Sequence, residues 1–126
     1  MNEHPNAARM RTLPDLVAAG DMKQFLDAFS PDCSWRSDLG SFHGRDGIAA
    51  FFDRMATTTG GRFRPECEAV LGSEDHVVMF LRLRGETVAG AQETRLAHFA
   101  TVDADGRFAR NWFLHSDTEA AKRILG

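Results

Sequence analysis

From about residue 60 onward, apolar and polar residues alternate in four runs separated by turn-forming residues. "RFRPECEAVLG", "HVVMFLRLRG", "ETRLAHFATV" and "GRFARNWFLH" each read as a strand, with "DADG" as the turn between the last two. Ahead of that point the period is helical. "GRDGIAAFFDRMATTT" sets Ile48, Phe51, Phe52 and Met55 at i, i+3, i+4 and i+7, the stripe of an amphipathic helix. "TLPDLVAAGDMKQFLDAF" reads as two short helices parted at Gly20-Asp21. Thr12 caps the first, with Pro14 in its first turn and Asp15 completing a capping-box-like pattern. "SPD" then ends the second helix, "CSWR" begins a short strand, and His43 lies in the entry loop before the next helix. The chain closes on "SDTEAAKRIL", a helix in which Ser116 and Glu119 form a capping box.

Helices, a short strand, a helix, a four-strand meander and a last helix make an α+β domain. A curved antiparallel sheet wrapped over the helices would enclose a cavity on its concave face. At 126 residues, 1–126 is expected to be a single domain with a real core. A net charge of −3 gives no reason to expect nucleic acid or an anionic membrane as partner. The apolar runs are too short to span a bilayer, and "MNEHPNAARMRT" lacks the apolar stretch of a signal peptide, so a cytoplasmic location is expected. There, Cys33 and Cys67 are expected as free thiols. Ten Phe and two Trp supply aromatic surface, while Tyr is absent altogether.

The last hairpin can be paired residue by residue. With "DADG" as a four-residue loop, His98 lies opposite Asn111, Ala100 opposite Ala109, Leu96 opposite Phe113, and Thr94 opposite His115. Leu96, His98, Ala100 and Val102 form an apolar row with one imidazole, so this face should point inward and carry Asn111, Phe113 and His115 with it. A bulge, or a loop of three or five residues, would reverse every side chain. Two readings of the face stand side by side. In the structural one, His98 is a core histidine bonded to a carbonyl, with Asn111 and His115 in solvent. In the functional one, two imidazoles and a carboxamide meet in a Phe-rich pocket, where imidazole exchanges protons near neutral pH and Asn holds an oxygen.

"AAGD…FLDAFSPDCSW", "GSFHGRDGIAAFF", "LAHFATVDADGRFARNWF" and the final "HSD" together resemble the SnoaL-like and ketosteroid isomerase-like proteins of the nuclear transport factor two-like superfamily. The resemblance runs from about Leu13 to Asp117. It implies a cone-shaped, cystatin-like α+β barrel with a deep internal pocket and dimerisation through the outer sheet face. It also sets His98 where the isomerases place the protonated aspartate that binds the oxyanion. Trp35 falls where they carry the catalytic base, and Leu13 near their active-site tyrosine. Asn111 and Phe113 stand where SnoaL-like cyclases carry the His and Asp of "HWD". The polar set that remains is similar to the His-and-Asn sites of scytalone dehydratase-like members, which also use tyrosines.

The expected site therefore has His98, Asn111 and His115 as catalytic candidates: His98 as acid/base or oxyanion donor, Asn111 positioning oxygen, His115 as a second proton carrier. Trp35, Leu13, Phe52, Met79, Leu96 and Phe113 are expected to line the pocket. The expected ligand is a small, hydrophobic, cyclic carbonyl or hydroxyl compound, turned over by proton transfer, isomerisation or dehydration. A binding or dimerisation module without catalysis is the alternative. No cofactor and no metal are expected, because His4 and His76 have no partners at ligand spacing and "TTTGGRFR" lacks the context of a phosphate loop. Asp38 is a candidate base, His43 a candidate at the pocket mouth, and Asp117 a helix cap. Phe108, Trp112 and Leu114, with Arg110 among them and Phe99 beside them, are expected on the convex face, where exposed aromatics point to a homodimer.

Overall fold

A computed structural model describes residues 3–125. Its first helix, α1 (Pro5–Ala18), begins a full two turns before Thr12. Pro5 sits at the first helical position, where its missing N–H costs nothing, and His4 Nδ1 accepts from Asn6 N at 3.1 Å. Thr12 is thus no cap; its hydroxyl donates back to the Arg9 carbonyl at 2.7 Å. Pro14 lies inside the helix instead of in its first turn. The break at Gly20-Asp21 is as expected. Gly20 takes φ 73°, and Asp21 caps α2 (Met22–Asp27) by accepting from Gln24 N at 3.1 Å.

The strand β1 (Phe29–Ser37) runs straight through what reads as a breaker, "SPD", and carries an irregularity between Phe29 and Ser34. Residues read as an entry loop form β2 (Gly40–His43), which pairs back on β1. Next, α3 (Gly44–Thr59) matches its predicted span and ends on Gly60 in the left-handed region. The meander follows as β3 (Phe63–Gly72), β4 (His76–Thr87), β5 (Gly90–Val102) and β6 (Phe108–His115), and α4 (Thr118–Leu125) closes the chain. Asp117, rather than Ser116, caps α4, accepting from Ala120 N at 3.0 Å; the Ser116 hydroxyl takes the Arg95 N–H instead.

One six-stranded sheet results, curved and unclosed, in the order β2-β1-β6-β5-β4-β3. Every neighbouring pair is antiparallel except β1 and β6, which run parallel. The helices fill the concave side, and Met10, Phe25, Phe29, Ile48, Met55 and Phe108 are buried there. At one end α4 closes the cone. A Cβ on Gly85 would come within 3.0 Å of Ile124 Cγ2, so the glycine in β4 is what lets the last helix sit this close.

The β5–β6 hairpin departs from its expected register by two residues. Its loop has five residues, not four, because Asp103 organises it: Oδ1 accepts from Asp105 N and Arg107 N, while Ser30 Oγ donates to Oδ2 at 2.6 Å. These bonds, the Ser30 hydroxyl first, hold the Asp103 carboxyl below its usual range. Val102 then faces Phe108, and a five-residue loop alone would turn His98 outward. An extra residue on β6 reverses that. Between the pairs Val102–Phe108 and Ala100–Asn111 the ladder shifts, and Arg110 N donates to Thr101 Oγ1 at 3.1 Å. Beyond the bulge His98 faces Phe113 and Leu96 faces His115. The expected partners are wrong and the expected faces right, since the two departures cancel. Ahead of the bulge they do not cancel, so Phe108, expected on the convex face, is 0 % exposed in the core.

The aromatic cavity and its buried histidine

Leu13 from α1, Trp35 from β1, Phe52 from α3, Met79 from β4, Leu96 and His98 from β5, and Phe113 and His115 from β6 all line one cavity. Its volume is about 90 Å³, and it opens to solvent at its mouth. Leu81, Leu83, Phe25, Phe51 and Met55 complete much of the wall. The sequence held a signal for four of these. Leu81 and Leu83 share the strand parity of Met79, and Phe51 and Met55 share the helix stripe of Phe52. Among the described residues, no aspartate or glutamate lines the cavity.

His98 is 3 % exposed and sits in an aromatic clamp. Phe113 stacks on it at 4.2 Å between ring centroids, Phe29 lies nearly coplanar at 6.4 Å, and Trp35 is tilted at 6.1 Å. Trp35 in turn packs on Phe113 at 4.6 Å and edge-on against Phe51 and Phe52. His98 Nε2 lies 2.7 Å from Asn111 Oδ1, and Asn111 Nδ2 donates to the Ser34 carbonyl at 3.2 Å. Asn111 is itself fully buried, and both ends of its amide are engaged by the protein. It stands behind the imidazole. His98 is expected directly opposite Asn111; the ladder sets it opposite Phe113, yet the His98 and Asn111 side chains still meet.

Burial pushes the His98 imidazole down to about 4, against which the bond from Asn111 works only in part. The ring is therefore neutral at physiological pH. His115, half-buried nearer the β1–β2 end of the cavity, is also lowered by burial, with Asp38 pulling the other way. Its Nδ1 is buried without a partner, as is Trp35 Nε1. Asp38 itself is exposed and accepts from the Thr118 hydroxyl at 3.2 Å, away from the cavity wall. His43 is exposed at the end of β2.

The sequence model of the SnoaL-like domain matches residues 10–111. The chain belongs to the SnoaL-like family. No curated protein matches the chain. Among solved structures, Bal32a from a soil-derived mobile gene cassette is 27 % identical over 96 % of each chain, with a TM-score of 0.84. A putative SnoaL-like polyketide cyclase from Jannaschia sp. CCS1 has 17 % identity, a TM-score of 0.80, and coverage of 99 % of this chain and 96 % of its own. Rv0760c from Mycobacterium tuberculosis, solved with estradiol-17beta-hemisuccinate, has 20 % identity and a TM-score of 0.73 over 87 % of this chain and 93 % of its own. The cone of this SnoaL-like chain is thus the fold of its relatives. Among its described residues there is no cluster of three or more potential metal ligands, and no helix is long and apolar enough to cross a membrane.

Proposed function

We propose that this SnoaL-like protein binds a small hydrophobic, cyclic molecule in the cavity, with a carbonyl or hydroxyl oxygen of that molecule held at His98. The observation that carries the reading is a neutral, aromatic-clamped imidazole on the wall of a largely apolar cavity. Burying such a group costs free energy that a featureless core would avoid by using Leu or Phe. Asn111 is the positioning residue, fixing the ring and its tautomer. The steroid ester in Rv0760c supports a ring-shaped ligand for this fold.

Where the ligand is turned over, the reaction is a proton transfer, as in isomerisation or dehydration. His98 takes the proton and His115 serves as the second carrier toward the cavity mouth. The second reading, a binding module without catalysis, draws support from one observation: the described wall contains no carboxylate. The two differ in one outcome. Replacing His98 in an enzyme abolishes turnover as well as weakening binding, whereas in a binder it changes affinity alone.

Two rows on the convex face support a homodimer. Val78, Phe99 and Trp112 lie side by side across β4, β5 and β6, and Phe80, Ala97 and Leu114 form the next row. Leu114 is 61 % exposed and Trp112 38 %, a contiguous apolar patch of the kind that a partner copy covers. The cavity reading is tested with Leu81→Trp, which fills the space. Wild type should bind the apolar dye 8-anilinonaphthalene-1-sulfonate at one site per chain, and a folded Leu81→Trp should not. Equal binding by both would place the dye elsewhere and remove the reading.

A further inference from the structure

The polar atoms left unpaired in the cavity say more about its ligand than the apolar wall does. Only Nδ2 of Asn111 can face the Ser34 carbonyl, because the opposite flip would set two acceptors against each other. Asn111 Oδ1 is therefore the atom that meets His98, and His98 Nε2 carries the ring's proton. In that neutral tautomer Nδ1 is a bare lone pair, and among the described residues no protein group donates to it. Trp35 has the opposite need. Its Nε1–H can only donate, and it is buried without an acceptor. Both rings line the same cavity, 6.1 Å apart between centroids. An unused acceptor and an unused donor thus belong to neighbouring rings of one cavity wall.

We propose that the cavity selects a hydroxyl borne on a flat ring, whose O–H donates to His98 Nδ1 while that oxygen or its neighbour accepts from Trp35 Nε1–H. This rests on the ligand-pocket reading and narrows it from "carbonyl or hydroxyl" to hydroxyl. A ketone without a hydroxyl turns its lone pairs toward the lone pair of Nδ1 and leaves that acceptor buried and unpaired. A hydrocarbon of the same shape leaves both groups unpaired. Discrimination of this kind, by stranding buried polar groups of the site, exceeds what an added or missing methyl group achieves.

Three probes of one skeleton test it: 1-naphthol, 1-tetralone and 1-methylnaphthalene, each titrated calorimetrically into wild type and His98→Phe. Wild type should bind 1-naphthol at least about tenfold tighter than either of the others, one buried hydrogen bond's worth. In His98→Phe that lead should collapse. In ¹⁵N-histidine-labelled wild type, the Nδ1 resonance of His98 should move with 1-naphthol and stay with 1-methylnaphthalene, a readout that needs no variant to fold. The proposal is overturned if 1-tetralone or 1-methylnaphthalene matches 1-naphthol in wild type, if the lead survives His98→Phe, or if Nδ1 does not respond. Binding of all three with equal affinity removes the hydroxyl preference and leaves the pocket reading standing. Binding of none removes both.

Discussion

The two faces of the β5–β6 hairpin are built from alternate residues of the same strands, and their polarity is the reverse of a simple rule. The outward side carries Ala97, Phe99, Trp112 and Leu114, and the inward side carries His98, Asn111 and His115 among Leu96 and Phe113. The difference lies in where each polar atom finds a partner. Inside, His98, Asn111 and the Ser34 carbonyl form a chain of hydrogen bonds, so the amide is buried without loss. Outside, Phe99, Trp112 and Leu114 keep 38–61 % of their surface exposed, the area that the proposed homodimer would cover. Burial follows pairing, and exposed apolar area follows association.

The comparison breaks most visibly at Asn111. Asn111→Leu strands the His98 Nε2–H and the Ser34 carbonyl, so chemical denaturation should show a loss of about 3–4 kcal/mol. A loss under about 1 kcal/mol would mean that the inner chain of bonds does little for the fold. Acid acts on the same chain from the other side. His98 has a lower pKa folded, about 4, than unfolded, about 6.5, so the unfolded chain binds more protons between those values. Stability from the neutral ring is complete above about pH 6.5 and falls by up to about 3 kcal/mol as the pH drops to 4, with His115 adding in the same direction. His98→Phe should flatten that part of the profile; an unchanged slope would assign the acid sensitivity elsewhere.

Changes on the outer face should leave the fold alone. The pair Trp112→Glu and Leu114→Glu should convert a dimer to a monomer in sedimentation velocity, with monomer stability shifted by less than about 0.5 kcal/mol. A wild type that sediments as a monomer at all concentrations would refute the association. Smallest of all is Arg84→Met, which removes an exposed ion pair to Glu93 at 2.9 Å. Its unfolding midpoint should differ little from wild type, and the difference should vanish in about 1 M salt.

Much of the cone is legible in the alternation itself. The α3 span is fixed by its own stripe and by Gly60, and the four meander strands by period and turns. What escaped depends on contacts distant in sequence. Nothing near Pro5 announces that α1 will carry Pro14 inside it, because packing of α1 on the sheet overrides the local signal. β2 is four residues long, too short for a period. The inward turn of His98 was legible, yet only because a five-residue loop and a bulge cancel; Phe108, on the near side of the bulge, shows the error uncompensated. Of the site, Trp35 and Leu13 come from the family resemblance, whereas Leu96 and Phe113 could be named from parity. The role of Asn111 could not, since the Ser34 carbonyl that orients it arrives through the parallel β1–β6 pairing.

The central claim is that the inner face holds a neutral imidazole with its proton on Nε2, locked by Asn111, and a bare Nδ1 toward the cavity. Two-bond ¹H–¹⁵N correlation spectra of the histidines, followed from pH 8 to pH 4, test it directly. The account predicts a pyrrole-type Nε2 and a pyridine-type Nδ1 for His98, unchanged until the pH nears 4. A His98 that carries its proton on Nδ1, or that titrates near 6.5 as a solvated imidazole does, would contradict it.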